Sequence, residues 1–127
     1  MVAYSFKLQF AEDVESGKKK QTIRADRKRH ARPGEAVQLY TGMRTKKCRK
    51  LVDPDPICTA VRDIEIASIY DFADVRVAGV NLVGAERLTA FALADGFDSI
   101  DEFVAFFKKE HGLPFRGVLV EWEPNHA

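Results

Sequence analysis

Alternating apolar and polar residues predict short strands over residues 3–82 and again over residues 116–122. In residues 3–8 the alternation places Tyr4, Phe6 and Leu8 on one face. The other predicted strands are residues 20–24, 36–40, 57–70, 75–82 and 116–122. Residues 41–50 separate two of these strands and form a basic connection around Gly42. The pattern up to residue 82 is therefore typical of a mainly β-structure.

The hydrophobic period then changes from two residues to between three and four, which predicts helices. One helix is predicted over residues 85–94, and a second over residues 100–110, where Ser99 is the N-cap and Glu102 completes a capping box. A shorter helix is predicted over residues 10–16. The apolar stripe of the last helix, which indicates core packing, consists of Ile100, Phe103, Val104, Phe106 and Phe107.

Five or six short strands with two or three short helices predict an α+β fold, in which a small twisted barrel carries the helices at its end. The 127 residues are a usual length for one domain, and no repeat or linker divides them, so we expect a single domain over residues 1–127. No apolar run reaches the ~18 residues of a membrane span. The first residues lack the pattern of a secretory signal. We therefore expect a cytoplasmic protein that does not contact membranes.

The net charge of +1 conceals a strong segregation of charge along the sequence. Residues 18–50 hold 13 Lys and Arg against 2 Asp and Glu, a formal charge of +11. Residues 51–127 hold 6 basic and 14 acidic residues, a formal charge of −8. A basic surface would attract the phosphate backbone of a nucleic acid or another anionic ligand. The alternative is a charged, solvated hairpin that contacts nothing.

Common catalytic and metal-binding motifs are absent from the sequence. The three histidines, His30, His111 and His126, are scattered, and Cys48 and Cys58 lack the spacing of metal ligands. The glycine-rich phosphate loops and the GxSxG elbow are also missing. We therefore expect neither a metal nor a cofactor.

One segment concentrates candidate chemistry, and it reads GKKKQTIR from residue 17 to residue 24. A strand period of two places Lys20, Thr22 and Arg24 on one face, while Lys19 in the preceding turn can swing toward Thr22. Repulsion among crowded ammonium groups favours a neutral amine, and a neutral lysine can act as general base for a threonine hydroxyl. The guanidinium of Arg24 suits a phosphate or a carboxylate. The alternative is a charged strand edge that prevents aggregation.

The spacing G-x-K-x-x-T-I-R in residues 17–24 resembles the signature of the ASCH family, whose members fold as PUA-like β-barrels. The resemblance continues in Pro-Gly-Glu and the strand that follows (residues 33–40) and in residues 58–66. It is also present in Ala-Asp-Gly-Phe followed by Glu-Phe (residues 94–103). It extends from about residue 6 to residue 122.

The resemblance implies RNA or nucleoside handling. Some small bacterial members are amidohydrolases that deacetylate 4-acetylcytidine with a lysine, a threonine three residues later and a glutamate before the late helix. These positions correspond here to Lys19, Thr22 and Asp95. Asp95 is one methylene shorter than the family's glutamate, and Lys20 stands where threonine is common. This chain also carries an additional basic region over residues 41–55.

We therefore expect a domain that binds RNA or a modified nucleoside (or nucleotide) in a basic cleft and hydrolyses the acetyl amide of 4-acetylcytidine. In that reaction Lys19 deprotonates Thr22, and Asp95 orients the lysine. The alternatives are a non-catalytic RNA-binding module and a ribonuclease, both of which the family also suggests. The residues expected to bind RNA are Lys18, Lys20, Arg24, Arg27, Arg29, Arg44, Lys46, Lys47 and Lys50, with Tyr40 stacking on a base.

Overall fold

A computed structural model describes residues 2–126 of the protein. In that range the chain forms three helices and eight strands in two sheets, so the predicted α+β class is confirmed. The strands are β1 (Val2–Phe6), β2 (Gln21–Ala25), β3 (Val37–Thr41), β4 (Arg49–Lys50), β5 (Ile57–Ile69), β6 (Phe72–Val77), β7 (Val80–Asn81) and β8 (Phe115–Glu123). The helices are α1 (Leu8–Ser16), α2 (Ala85–Ala94) and α3 (Ile100–Glu110). Across residues 2–126, no helix combines the length and the apolar character that crossing a membrane requires.

The first sheet has the strand order β1-β3-β4, and β1 runs parallel to β3 in a register that pairs Val2 with Val37 and Phe6 with Thr41. The second sheet has the order β2-β8-β5-β6-β7. Its strands β5, β6 and β7 follow one another as antiparallel neighbours.

The described residues contain eight strands rather than five or six for two reasons. The single strand predicted over residues 75–82 is wrong, because the chain reverses at Ala78 and Gly79, where φ is +51° and +78°. This turn separates β6 from β7. In addition, the basic connection after β3 contains the two-residue strand β4, which pairs with the end of β3.

The chain consists of two compact units. The first unit holds the residues through Gln21, Arg27–Val61 and the residues from Val120 onward, and the second holds Thr22–Asp26 and Arg62–Leu119. Strands β2, β5 and β8 contribute residues to both. The first unit has 13 Lys and Arg against 8 Asp and Glu, a formal charge of +5, and the second has 7 against 11, a formal charge of −4. The fold therefore retains the charge segregation of the sequence.

The core of the first unit depends on the alternation in β1 and β3. Val2, Tyr4 and Phe6 are buried on one face, and the ring of Phe6 meets the ring of Trp122 edge-on with centroids 6.0 Å apart. Leu8 does not continue this face as predicted, because the strand ends at Phe6 and Leu8 begins α1 with 77% of its surface exposed.

The core of the second unit is an aromatic cluster centred on Phe103 of α3. Its ring centroid lies 5.7 Å from that of Phe91, 5.5 Å from that of Phe97 and 4.9 Å from that of Phe107. Phe103 is fully buried. Aromatic pairs at these distances add to the free energy gained from apolar burial. The predicted apolar stripe therefore packs α3 against α2.

The N-cap of α3 is the predicted residue, but the capping box is not complete. Ser99 Oγ accepts a hydrogen bond from the backbone N–H of Glu102 at 3.1 Å. The carboxylate of Glu102 accepts from the N–H of Asp98 at 3.2 Å, where the reciprocal capping-box bond would come from Ser99. The helix start is nevertheless fixed by two side-chain hydrogen bonds.

Phe103→Ala should lower the free energy of unfolding by about 3–5 kcal/mol, because it leaves a cavity among three rings. Chemical denaturation measures the change. Leu93→Ala on α2 is the control, since Leu93 is 45% exposed and its truncation should cost about 0.5 kcal/mol. Equal losses in the two variants would contradict the central role of the aromatic cluster.

Candidate functional site

The turn between α1 and β2 buries polar side chains in close succession. Gly17 ends the helix in the left-handed conformation (φ +81°), and the backbone N–H of Lys19 then donates to the carbonyl of Asp13 at 2.9 Å. The exposed fractions of the residues are only 3% for Lys19, 7% for Gln21 and 4% for Thr22. Lysine is almost never buried so deeply unless it has partners. Gln21 was not a predicted site residue, because a single glutamine in a strand carries no sequence signal.

Lys19 lies among aromatic rings in the first unit. Its Nζ is 5.1 Å from the ring centroid of Phe10 and 5.9 Å from that of Phe6, both within the range of cation–π attraction. The neighbouring lysines are exposed, and Lys20 pairs with Glu123 at 2.9 Å. The feature that distinguishes Lys19 is therefore its burial, whereas the sequence suggested crowding by its neighbours.

Thr22 and Arg24 lie on the same face of β2, as the strand period predicts. Arg24 Nε donates to Thr22 Oγ1 at 2.9 Å. A hydroxyl that accepts this bond still has its own proton to donate. The guanidinium charge stabilises negative charge that develops on the threonine oxygen. A Cβ at Gly117 of β8 would overlap the carbonyl oxygen of Arg24, so this glycine permits the close approach of the backbone.

Asp95 is the C-cap residue of α2 and is 3% exposed. Its backbone N–H donates to the carbonyls of Phe91 and Ala92 at 3.1 and 3.2 Å. A carboxylate at a helix C-terminus faces the negative end of the helix dipole, so this acid does not stabilise α2 by its charge. Its burial at such a position makes Asp95 a candidate for a role beyond helix stability. Asp95 and Thr22 belong to the second unit, and Lys19 belongs to the first.

Several of the predicted RNA-binding side chains are engaged within the protein. Acidic partners bind three of them, in the pairs Lys20–Glu123, Arg29–Glu35 and Lys50–Asp55. The guanidinium of Arg27 lies 4.5 Å from the ring centroid of Tyr4 and donates to the carbonyl of Ala3. Tyr40 is half-buried in β3. These contacts hold the side chains in place and reduce the positive charge that they offer to a ligand.

Six other basic residues of the first unit are exposed. Four of them belong to the predicted RNA-binding residues, namely Lys18, Arg44, Lys46 and Lys47. The other two, Lys28 and Arg32, contribute to the positive charge of residues 18–50 but are not among the predicted binding residues. Within residues 2–126, none of these six side chains has an acidic partner within ion-pair distance. We call these six residues the basic surface.

Two ionisable groups beside this surface have shifted pKa values. Partial burial opposes ionisation of Glu35, but the hydrogen bond from the N–H of Arg32 and the charge of Arg29 outweigh it, so its pKa lies below the ordinary 4.5. The ion pair with Asp55 raises the pKa of Lys50. Both residues are therefore charged at neutral pH.

The cysteines and histidines form no cluster of ligands. Burial raises the pKa of the Cys58 thiol, which keeps it protonated, while Cys48 is exposed. Over the part of the chain that the structure describes, no three His, Cys, Asp or Glu side chains are grouped to hold a metal ion.

Comparisons of the chain with protein-family models, with curated proteins and with solved structures found no match. The resemblance to the ASCH family therefore rests on the order and spacing of the sequence motifs. A function for this protein must be inferred from those motifs together with the side-chain geometry.

Glu35→Gln should lower the unfolding temperature at pH 7 and have a progressively smaller effect in acid. Because the folded-state pKa lies below 4.5, ionised Glu35 stabilises the fold above that pH, and the stabilisation is lost as pH falls through the folded-state pKa. Thermal unfolding between pH 7 and about pH 3 tests this. Glu12→Gln, at an exposed position of α1, is the control. A difference of constant size across this range would contradict the prediction.

Proposed function

We propose that the protein binds RNA or a modified nucleoside, and that it does so through the basic surface of the first unit. The observation that carries this proposal is the set of six exposed cations that lack acidic partners among residues 2–126. Phosphate groups release condensed counterions when they meet such a surface, which favours binding. The formal charge of +5 on the first unit acts in the same direction.

The loop between β3 and β4 supports this proposal, because it holds part of the basic surface in an ordered conformation. Thr45 Oγ1 donates to the carbonyl of Gly42 at 2.6 Å and accepts from the N–H of Lys47 at 3.1 Å. The N–H of Cys48 donates to the carbonyl of Thr45 at 3.2 Å. An ordered loop loses less conformational entropy when it binds a ligand.

The sequence motifs and the β-rich α+β fold support a further part of the proposal, namely that the chain is a PUA-like barrel of the ASCH family. Its GKKKQTIR segment forms the turn and strand of the candidate site, and its Ala-Asp-Gly-Phe motif forms the end of α2. The family resemblance places its functional residues in these same two segments.

Arg44→Ala combined with Lys46→Ala should weaken RNA binding about tenfold and reduce its salt dependence. Each lost phosphate contact with a single strand makes the negative slope of log K against log salt shallower by about 0.7. Fluorescence anisotropy with a labelled single-stranded RNA, at about 50 and about 200 mM salt, measures both effects. The control is Lys108→Ala with Lys109→Ala, two exposed lysines at the end of α3.

An affinity that does not change with salt would contradict this proposal, as would equal losses in the two double variants. Both pairs remove two exposed lysine or arginine charges, so a difference between them reports on position rather than on net charge.

A second function, hydrolysis of the acetyl amide of 4-acetylcytidine, is favoured by the burial of Lys19, Thr22 and Asp95. Each of the three residues is at most 4% exposed, and the hydroxyl of Thr22 accepts a hydrogen bond from the guanidinium of Arg24. Burial is one of the means by which catalytic sites shift the pKa values of their ionisable groups, and the family resemblance assigns these three residues to one reaction. We propose these three residues as the catalytic group and Arg24 as the stabiliser of negative charge.

The reaction proceeds in two steps. The Thr22 oxygen attacks the acetyl carbonyl carbon, and the neutral Lys19 amine accepts the hydroxyl proton. Lys19 then returns the proton to the departing N4 of cytidine, which leaves an acetyl ester on Thr22. Water hydrolyses this ester to acetate and regenerates the threonine, while Asp95 orients the lysine.

Thr22→Ala should lower the turnover of 4-acetylcytidine by at least about a thousandfold, because it removes the nucleophile. Chromatography of the released cytidine measures the rate. Thr22→Ser restores a hydroxyl and should recover part of the activity. Thr89→Ala, at an exposed position of α2, is the control and should have no effect. If Thr22→Ala retains turnover, Thr22 is not the nucleophile; if the unsubstituted protein shows none, RNA binding without catalysis is the better proposal.

A further inference from the structure

A cleft of about 440 Å³ opens in the first unit between the end of β1, the start of α1 and the loop after β3. Its lining residues are Ser5, Phe6, Lys7, Leu8, Thr41, Gly42, Met43, Thr45 and Lys47. None of the residues proposed above for catalysis lines it. Phe6 lines the cleft and also contacts Lys19, whose Nζ is 5.9 Å from the centroid of the Phe6 ring.

The lining combines positive charge with an apolar wall. Lys7 and Lys47 are both exposed, and none of the nine lining residues is acidic. Leu8 is 77% exposed, and Met43, which also lines the cleft, is half-buried. An exposed leucine on the wall of a basic cleft offers contact to an apolar or planar group of a ligand whose other end is an anion.

The walls of the cleft are held by hydrogen bonds within the first unit. Thr41 Oγ1 donates to the carbonyl of Phe6 at 2.8 Å, which ties the end of β3 to the end of β1. Ser5 Oγ accepts from the N–H of Met43 at 3.4 Å. A Cβ at Gly42, where φ is +65°, would lie 3.0 Å from the carbonyl oxygen of Lys47, so the loop closes tightly. The cleft is therefore already shaped before a ligand arrives.

We propose that this cleft binds the phosphate of a nucleotide at Lys7 and Lys47, with the nucleoside part against Leu8 and Met43. The phosphate belongs either to a free mononucleotide or to an RNA strand. This inference rests on the proposed function, because it assumes that the ligand is RNA or a nucleotide. It adds that one phosphate of this ligand, with its nucleoside, occupies the cleft of the first unit.

The size and charge of the cleft favour a nucleotide over a smaller anion. Sites for small organic ligands have volumes of about 300–1,000 Å³, and inorganic phosphate alone would leave most of this cleft empty. Two lysine ammonium groups match the charge of a phosphate monoester, to which they can donate charge-assisted hydrogen bonds.

Binding of cytidine 5′-monophosphate, compared with cytidine, tests the proposal by calorimetry or equilibrium dialysis. We expect the nucleotide to bind at least about tenfold more tightly than the nucleoside. Leu8→Glu places a carboxylate at the wall of the cleft, and Lys47→Gln removes a cation; each should weaken nucleotide binding about tenfold. Both positions are exposed, so the variants should remain folded.

Two controls separate the cleft from the rest of the surface. Val83→Glu introduces the same charge at a residue that is 71% exposed and belongs to the second unit, and it should leave binding unchanged. Lys108→Ala with Lys109→Ala removes two exposed charges from the second unit and should change mononucleotide binding less than twofold.

The outcomes distinguish the cleft from the proposed function. If the mononucleotide does not bind but Leu8→Glu and Lys47→Gln weaken RNA binding beyond their controls, the cleft takes a phosphate of the RNA strand. If RNA binds and neither variant matters for either ligand, the cleft proposal is overturned and RNA binding by the basic surface stands. If neither RNA nor the mononucleotide binds, both proposals fail.

Discussion

The hydrogen bond from the N–H of Lys19 to the carbonyl of Asp13 fixes the part of the molecule on which the candidate chemistry depends. It closes the turn that begins at Gly17, and the chain then enters β2 with Lys19, Gln21 and Thr22 buried. Burying an amine, an amide and a hydroxyl within four residues carries a large desolvation cost. A strand of valine and isoleucine would need no polar partners here, whereas these three groups must have them to be buried.

The elements that could be predicted from the sequence are those whose signals are local. The bounds of α3 agree with the sequence pattern because Ser99 provides a cap and the apolar residues repeat at helical spacing. The turn at Ala78 escaped prediction, because alanine rarely adopts a positive φ and the valines on either side of Ala78 and Gly79 continue the apolar pattern. The exposure of Leu8 also escaped prediction. Leu8 fits the alternation of a strand, but β1 ends at Phe6, and the sequence pattern does not mark this end.

The candidate site was predictable in its residue types and much less so in its contacts. The hydrogen bond between Arg24 and Thr22 follows from the strand period, which places them on one face. The burial of Lys19 among aromatic rings depends on α1 packing beside it, which three consecutive lysines in a sequence do not reveal. Ion pairs such as Lys20–Glu123 join residues more than a hundred positions apart, so the sequence alone overestimates how many cations are available to a ligand.

The composition of the first unit also constrains the order in which the protein can fold. Its core joins Phe6 to Trp122, so the ring that completes the packing of β1 comes from a strand formed near the other end of the sequence. The aromatic cluster of the second unit, in contrast, draws on residues of two consecutive helices. Distant contacts form more slowly than local ones. On a ribosome, the helical cluster can therefore assemble while the first unit still lacks β8, the strand that carries Trp122.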